Sequence, residues 1–437
     1  MHTPAVALVN EGFVTDGRSA SSSRGMPVVR MVSETIPCEC SIAEEAEEGI
    51  SQALDQTIAA LVQPLTAEEV SPKPKTRSQN PRIIFRGNIQ EVNRFFYRRG
   101  WGDGLALIPP TDDAVAEMLT GTDLPPEHIV GTLLPRLGKA TVEKIAINAV
   151  MAGALPIHMP VLLACMEALF DPAARASAFA VSTGSWAPFW IINGPVRNQI
   201  NVNCSSGALS PGNIANAAIG RAIGLIVKNI GGIRKAIEDM GTLGNPGKYT
   251  MVLGENEESS PWEPLHVEEG FAPDDSTVSL MYPNCYAQHS PTFGTEDRDI
   301  ISNLLYSLPT TTLGALCFVL PPVHAKKLAQ KGWTKEKIRN YIAEFAQAPA
   351  YQHPARYDTG KALARHKTVP MDALEPTRLI ADPSNIRIVV AGGPGTFIGM
   401  LTGGFSARRV IKRIQFPRNW DKLVAKYRNL TPTYELY

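Results

Sequence analysis

Cys204 lies in INVNCSSGALSPGN (200 to 213), flanked by serines and a glycine and followed by a helical pattern. Ser210 and Pro211 have the types expected at a helix N-cap and first turn, and Ile219, Ile223, Ile226 and Ile230 mark one buried helical face ending at Gly231-Gly232. The spacing predicts a thiol in a loop that feeds a helix N-terminus. Unbonded backbone N–H groups and the positive dipole end there can lower a thiol pKa or hold an anion. Cys204 is therefore a candidate nucleophile, and Ser205, Ser206, Ser210 and Asn213 are candidate substrate-binding residues. The plainer reading is a small buried residue in a turn shaped by serine and glycine.

A second group is GKYTMVLGENEESSPWEPLHVEEGF (247 to 271). Glu257, Glu263 and His266 have the types needed for general acid–base work, and Lys248 for anion binding. If PLHVEEG is extended, His266 and Glu268 share one face. Two ligands make no metal site, so no metal or other cofactor is expected; the plainer alternative is a solvated acidic loop. A third group is IRIVVAGGPGTF, an apolar strand entering a turn in which Gly393, Gly395 and Thr396 can present N–H groups to a phosphate or carboxylate. Neither the dinucleotide fingerprint nor a Walker A loop is matched. Weaker signals are a Cys285/His289 thiol–imidazole pair, His324 packing on the helix after it, and Cys38 with Cys40 as two soft ligands.

Positioning these groups calls for alternating strands and helices. RIIF, GLALIPP, FWIIN (189 to 193), YTMVL (249 to 253), LGALCFVL (313 to 320) and IRIVV read as strands. Helices are expected after the caps Asn88 (with Glu91) and Thr111, across TVEKIAINAVMAGA and MPVLLACMEALF, and over 334 to 347. The order implies an α/β fold, with helices packed on a mixed sheet. Residues 1 to 66 add a small strand–helix segment: MPVVRMV as strand, then a helix capped by Ser41 and Glu44 with Ile50, Leu54, Ile58 and Leu61 on one face. Such a piece cannot enclose a core of its own. A proline-rich polar linker, 67 to 82, joins it to the main body, 83 to 437.

With 44% hydrophobic residues in 437, the chain can bury a large core, and its 42 basic and 42 acidic side chains leave no global field for nucleic acid or an anionic membrane. Neither is expected as a partner. Without a long apolar run or an evident leader, and with six scattered cysteines, the expectation is a cytoplasmic protein with reduced thiols.

Several blocks, among them RGWGDGLALIPPTDDAVAEML, TVEKIAINAVMAGALP, INGPVR, GNIANAAIGRAIGLIVKNIGG and PPVHAKKLAQKGWTKEKIR, resemble a bacterial family of UGSC-type (seleno)proteins over roughly residues 80 to 415. The first 66 residues separately resemble the C-terminal half of the UGSC domain, itself similar to selenoprotein subunits of glycine-reductase-type complexes. The resemblance implies thiol or selenol chemistry on small molecules. The Cys-Gly-Ser-Cys motif is absent, and Ala154 stands where relatives often carry cysteine, which leaves Cys204 as the thiol to consider. The expectation is a cysteine-dependent enzyme, or the large subunit of one, acting on a small anionic substrate by reductive or eliminative carbon–heteroatom chemistry. It would be an oligomer, with a possible separate redox subunit carrying the motif. The alternatives are a noncatalytic binding or partner subunit and a metal-dependent hydrolase built on the His266/Glu cluster.

Overall fold

The computed structural model describes residues 4–38, 42–72, 81–310, 314–352, 374–403 and 409–432. Its N-terminal segment is larger than one strand and one helix. Strand β1 (Ala7–Asn10) leads through α1 (Val14–Ser23) to the parallel strand β2 (Met31–Glu34), then to α2 (Ala43–Val62) and the single turn α3 (Ala67–Val70). MPVVRMV contributes only its end to β2, and the expected Ser41 cap lies outside the described residues. Helix α1 joins the body through Ser19 Oγ, which donates to Glu238 at 2.6 Å, and Ser23 Oγ, which donates to the Pro135 carbonyl at 3.0 Å.

The body opens with helices. Asn88 and Glu91 form the expected capping box of α4 (Ile89–Arg98), and the Thr111 side chain accepts the Ala114 N–H at the start of α5 (Asp112–Leu119). RIIF and GLALIPP, expected as strands, are irregular surface segments in which Ile83, Ile84, Phe85 and Leu105 are exposed. A short apolar run without a neighbouring strand to pair with has no ladder to join. The hairpin β3 (Ile129–Leu133) and β4 (Gly138–Thr141) precedes α6 (Val142–Ala152), α7 (Met159–Phe170) and the short α8 (Ala176–Val181). Glycine at 153, with φ of 82°, ends α6 in the left-handed region, as a C-terminal glycine does.

Two four-stranded sheets follow, and they share one topology. In the first, β5 (Phe189–Asn193) runs through the turn α9 (Val196–Gln199) and α10 (Ile214–Asn229) to a parallel partner, β6 (Val252–Gly254). After the turn α11 (Leu265–Glu268), β7 (Thr277–Met281) pairs antiparallel with β5, and β8 (Cys285–His289) leaves for the other sheet. After α12 (Asp297–Tyr306), β9 (Leu316–Leu320) runs through α13 (Pro322–Gln330), α14 (Lys335–Phe345) and the small pair β10 (Gln347–Pro349) and β11 (Pro376–Arg378). It thereby reaches its own parallel partner, β12 (Ile386–Val390). Then β13 (Ile398–Thr402) pairs antiparallel with β9, and β14 (Val410–Arg413) crosses back to β7, ahead of the terminal helix α15 (Trp420–Tyr427). The orders are β6-β5-β7-β14 and β12-β9-β13-β8 with matching strand senses, so each half lends its last strand to the other's sheet. The chain is thus an α/β protein with mixed sheets.

The packing has four layers. Trp190, Ile192, Val278 and Leu280 lie on the face of the first sheet covered by α6, α7 and α10, whereas Phe318, Ile388 and Met400 lie under α12 to α14. Between the sheets, Phe189, Ile191, Leu253 and Met281 meet Cys317, Val319, Val389 and Leu401. Strands covered on both faces explain why FWIIN and LCFVL read as unbroken apolar runs. Among the described residues no single helix is long and apolar enough to cross a membrane.

Candidate functional site

Parallel strands end β5, β6, β9 and β12 on turns at their carboxyl ends, the usual location of a site in an α/β sheet. Here the two sheets meet: the Asn256 N–H donates to the Val390 carbonyl at 2.7 Å, and the Gly392 N–H donates to the Cys204 carbonyl at 2.9 Å. A Cβ on Gly393 would stand 3.0 Å from Ser206 Cβ and 3.2 Å from its Cα, so only glycine lets the two loops approach this closely. The cysteine loop and the glycine turn, expected from sequence as separate anion holders, therefore form one structure. They wall a cavity of about 240 Å³ with Ser210, Gly393 and Gly395 on its rim, and Leu253, Tyr286 and Gln288 completing it. Thr396 contributes differently, since its carbonyl accepts from His324 Nε2 at 2.8 Å. His324, buried on α13, is pushed toward the neutral form by burial.

The loop is held from α10. Asn216, 5% exposed, accepts the Asn203 N–H at 2.8 Å with Oδ1, and its Nδ2 donates to the carbonyls of Asn203, Ala208 and Val252 at 3.0 to 3.2 Å. Helix α10 itself begins later than SPG suggests. Gly212 has φ of 136° and the helix starts at Ile214 with Asn213 as N-cap, whose side chain makes no capping bond. Ser210 is an exposed turn residue. The helix also stops at Asn229, just before the expected glycines.

Cys204 is half-buried, packed so that a Cβ on Gly254 would sit 3.1 Å from its own. Burial pushes its thiol pKa up, the Arg197 guanidinium beside it pulls down, and the Glu258 carboxylate pushes up; the net direction is upward. The expectation of a thiol acidified by the helix end is corrected: the helix begins too late, and desolvation dominates.

Arg197, 2% exposed on α9, organises the charges around that sulfur. It donates to the carbonyls of Gly194 (3.1 Å) and Glu255 (2.6 Å) and pairs with Glu257 (2.9 Å) and Glu258 (3.1 Å). Glu257 also accepts from Asn193 Nδ2 at 3.0 Å and the Gly194 N–H at 2.7 Å. Arg197 and Asn198 hold Glu258 at a pKa of about 2 against the opposing effect of burial. Fully buried Glu255 accepts from Asn193 (2.6 Å) and the Leu265 N–H (2.8 Å) and faces Lys335 at 3.5 Å. His266 is fully buried 4.0 Å from Glu257, and neither ring nitrogen has a hydrogen-bond partner.

Other expected members are dispersed. PLHVEEG is not extended: 265 to 268 form a helical turn, and Glu268 turns away from His266 to pair with Lys335 at 3.0 Å and Arg339 at 3.2 Å. Glu263 is on the surface, giving only its backbone carbonyl to Lys335 at 2.7 Å. Lys248 is bound by Asp239 at 2.7 Å, away from the cavity. Ser205 is exposed, its N–H bonded to Asn203. Cys285 and His289 sit four residues apart on one strand, about 13 Å of rise, too far to pair. Cys38 is exposed, and Cys40 lies outside the described residues. Among the described residues no three His, Cys, Asp or Glu side chains converge on a metal position.

Sequence reasoning did not single out Arg197, Asn193, Asn216 or Lys335. INGPVR carried a visible signal, because a charged residue just after an apolar strand and a Gly-Pro turn is placed at a strand's carboxyl end. Compared with known proteins, the chain matches no family model, no curated protein and no solved structure.

Proposed function

We propose that the chain is a thiol-dependent small-molecule enzyme, or the large subunit of one, that holds a small anionic substrate in the cavity between the cysteine loop and the glycine turn. The observation that carries this reading is the junction itself. Two loops nearly two hundred residues apart are tied backbone to backbone at the Gly392–Cys204 bond, and Gly207 to Ser210 of one and Gly392, Gly393 and Gly395 of the other line one cavity, with Cys204 at the junction beside it and not in the lining. At 240 Å³ it suits a molecule below drug size. Its polar lining is neutral, so an anion would be held by N–H and hydroxyl groups of the kind Ser210, Gln288 and the glycine turn supply.

Arg197 is the group that would stabilise a Cys204 thiolate, and Glu257, which shares Arg197 and adjoins His266, heads the acid–base side. In the class of step proposed, the sulfur attacks an electrophilic carbon of the substrate. The S–C bond forms as a carbon–heteroatom bond breaks, the leaving group departs with its electron pair, and the thiol proton has already passed to solvent or base. A noncatalytic binding subunit is favoured by one observation: Cys204 is half-buried and not among the residues that line the cavity. One measurement characterises the thiol and a second separates the readings. Alkylation of Cys204, mapped by mass, should rise with pH through an inflection above the ordinary thiol value near 8.5. Glu258→Gln should lower that inflection, since it removes a charge that pushes the thiol up. Sulfate, phosphate or small carboxylates that raise the melting temperature should slow labelling at Cys204. Ligands that stabilise the fold but leave its labelling rate unchanged would disconnect the thiol from the cavity and leave the binding subunit standing.

A further inference from the structure

Two exposed surfaces far from the cavity match each other. On α2, Gly49 and Ala53 are the buried residues, and a Cβ at Gly49 would collide with Ile36. Of the residues expected to mark the buried face, Leu61 is partly buried but Ile50, Leu54 and Ile58 are each about half exposed, and Val62, outside that expectation, is 74% exposed. The four exposed ones recur at i, i+4, i+8 and i+12, a continuous stripe. Glu44, Glu47, Glu48 and Asp55 accompany it, and residues 1 to 72 carry eleven acidic against three basic side chains.

The second surface lies on α4 and the segment before it. Residues 81 to 100 carry five arginines against one glutamate. Arg94 and Arg98, one turn apart, have no ion-pair partner among the described residues and line a groove of about 360 Å³ with Tyr97 and Leu105. Tyr97 is 74% exposed, and Ile84, Phe85 and Ile89 lie uncovered on the same stretch. The far wall of the groove is fixed in advance: Arg221 clasps Asp103 at 2.7 Å, and Asn93 bonds both backbone groups of Leu107 at 2.6 and 3.1 Å.

We propose that α2 of one copy docks in the α4 groove of a second copy, its apolar stripe covering Tyr97, Leu105 and Ile89 while its glutamates pair with Arg94 and Arg98. Charge selects the occupant, because an acidic amphipathic helix fits a basic apolar groove and the chain carries both. Its own α2 cannot serve. Gly49 seats that helix on its own β2 segment, and Arg30 clamps the helix end by donating to the carbonyls of Ala60, Gln63 and Pro64 at 2.6 to 2.7 Å. The run of exposed apolar side chains beside the groove fits a protein partner better than a small anion. Reciprocal exchange about a two-fold axis closes the assembly as a dimer.

Sedimentation of the full chain across micromolar concentrations tests this. The wild type should dimerise, and Leu54→Glu should weaken the dimer on the order of 100-fold by burying an unpaired carboxylate. A chain with Glu44→Lys, Glu47→Lys and Glu48→Lys, and another with Arg94→Glu and Arg98→Glu, should each be monomeric alone and dimeric when mixed. All the substituted side chains are exposed, and circular dichroism checks that each variant stays folded. A monomeric wild type, or a dimer indifferent to both sets of changes, overturns the proposal. Inorganic phosphate that stabilises a monomeric chain through Arg94 and Arg98 would replace it with a small-anion site.

Discussion

Replacing Asn216 with alanine should free the cysteine loop while leaving the four-layer body folded. The side chain makes four hydrogen bonds, and two of them, to the carbonyls of Ala208 and Val252, are buried. A buried acceptor stripped of its donor costs about 1 to 3 kcal/mol, and a partly solvated bond nets about 1 kcal/mol. Water entering the space left by the amide recovers part of that sum, so a loss of about 3 kcal/mol is expected in the free energy that keeps residues 203 to 208 closed. With about 1.4 kcal/mol per factor of ten, the open population rises on the order of 100-fold. Because the Cys204 thiol is half-buried against Gly254, its alkylation follows that opening. Timed iodoacetamide labelling, resolved by peptide mass, should show Cys204 accelerating strongly while Cys165 and Cys317 stay slow and exposed Cys285 keeps its wild-type rate. Hydrogen exchange at 203 to 208 should quicken in parallel. An unchanged Cys204 rate in a folded variant would mean that the Gly392–Cys204 bond and the packing on Gly254 hold the loop without the amide.

Two further outcomes follow from single positions. Gly393→Ala should separate the two loops and lower both stability and ligand response, because its Cβ meets Ser206, whereas Gly395→Ala, whose Cβ meets nothing within 4 Å, should melt close to wild type; equal melting temperatures would refute the close approach. His158 is buried, its Nδ1 accepts the Leu155 N–H at 3.1 Å, and burial lowers its pKa from 6.5 to about 3. The unfolded chain takes up that proton first, so this contribution is complete above pH 6.5 and drains as pH falls toward 3. Melting curves should therefore decline below pH 6.5, ahead of carboxylate titration, and His158→Gln should flatten that upper part of the decline.

What could be read from sequence was what depends on near neighbours. Asn88 and Thr111 cap the helices expected of them, and β5, β9 and β12 were visible as apolar runs because both of their faces are covered. RIIF looked the same, but whether an apolar tetrapeptide becomes a strand depends on a partner strand that its own letters do not encode. Strand β7 escaped notice for the converse reason. Thr277 and Ser279 interrupt its apolar pattern, yet by alternation with Met281 they face the layer between the sheets, and their hydroxyls lack partners there. The Ser210 cap failed at Gly212, whose positive φ ends the turn before the helix can start. Lys248 and Glu263 had suitable chemistry and unsuitable surroundings, an aspartate and open solvent.

The matched topology of the two sheets explains why the charged residues gather where they do. INGPVR after β5 and LPPVH after β9 occupy corresponding strand ends, so Arg197 and His324 are counterparts, as are GENEE after β6 and AGGPG after β12. One half fills its strand end with Arg197 and three glutamates. In the other half, glycines leave the corresponding space open, and the cavity forms there with the cysteine loop of the first half as its second wall. The charged cluster and the cavity are thereby contributed by different halves, which the exchange of β8 and β14 and the apolar layer between the sheets hold together. Loosening that exchange should therefore disturb the cavity before it disturbs either core. The reasons are that the junction rests on two backbone bonds and one glycine approach, and that each core is covered by its own helices.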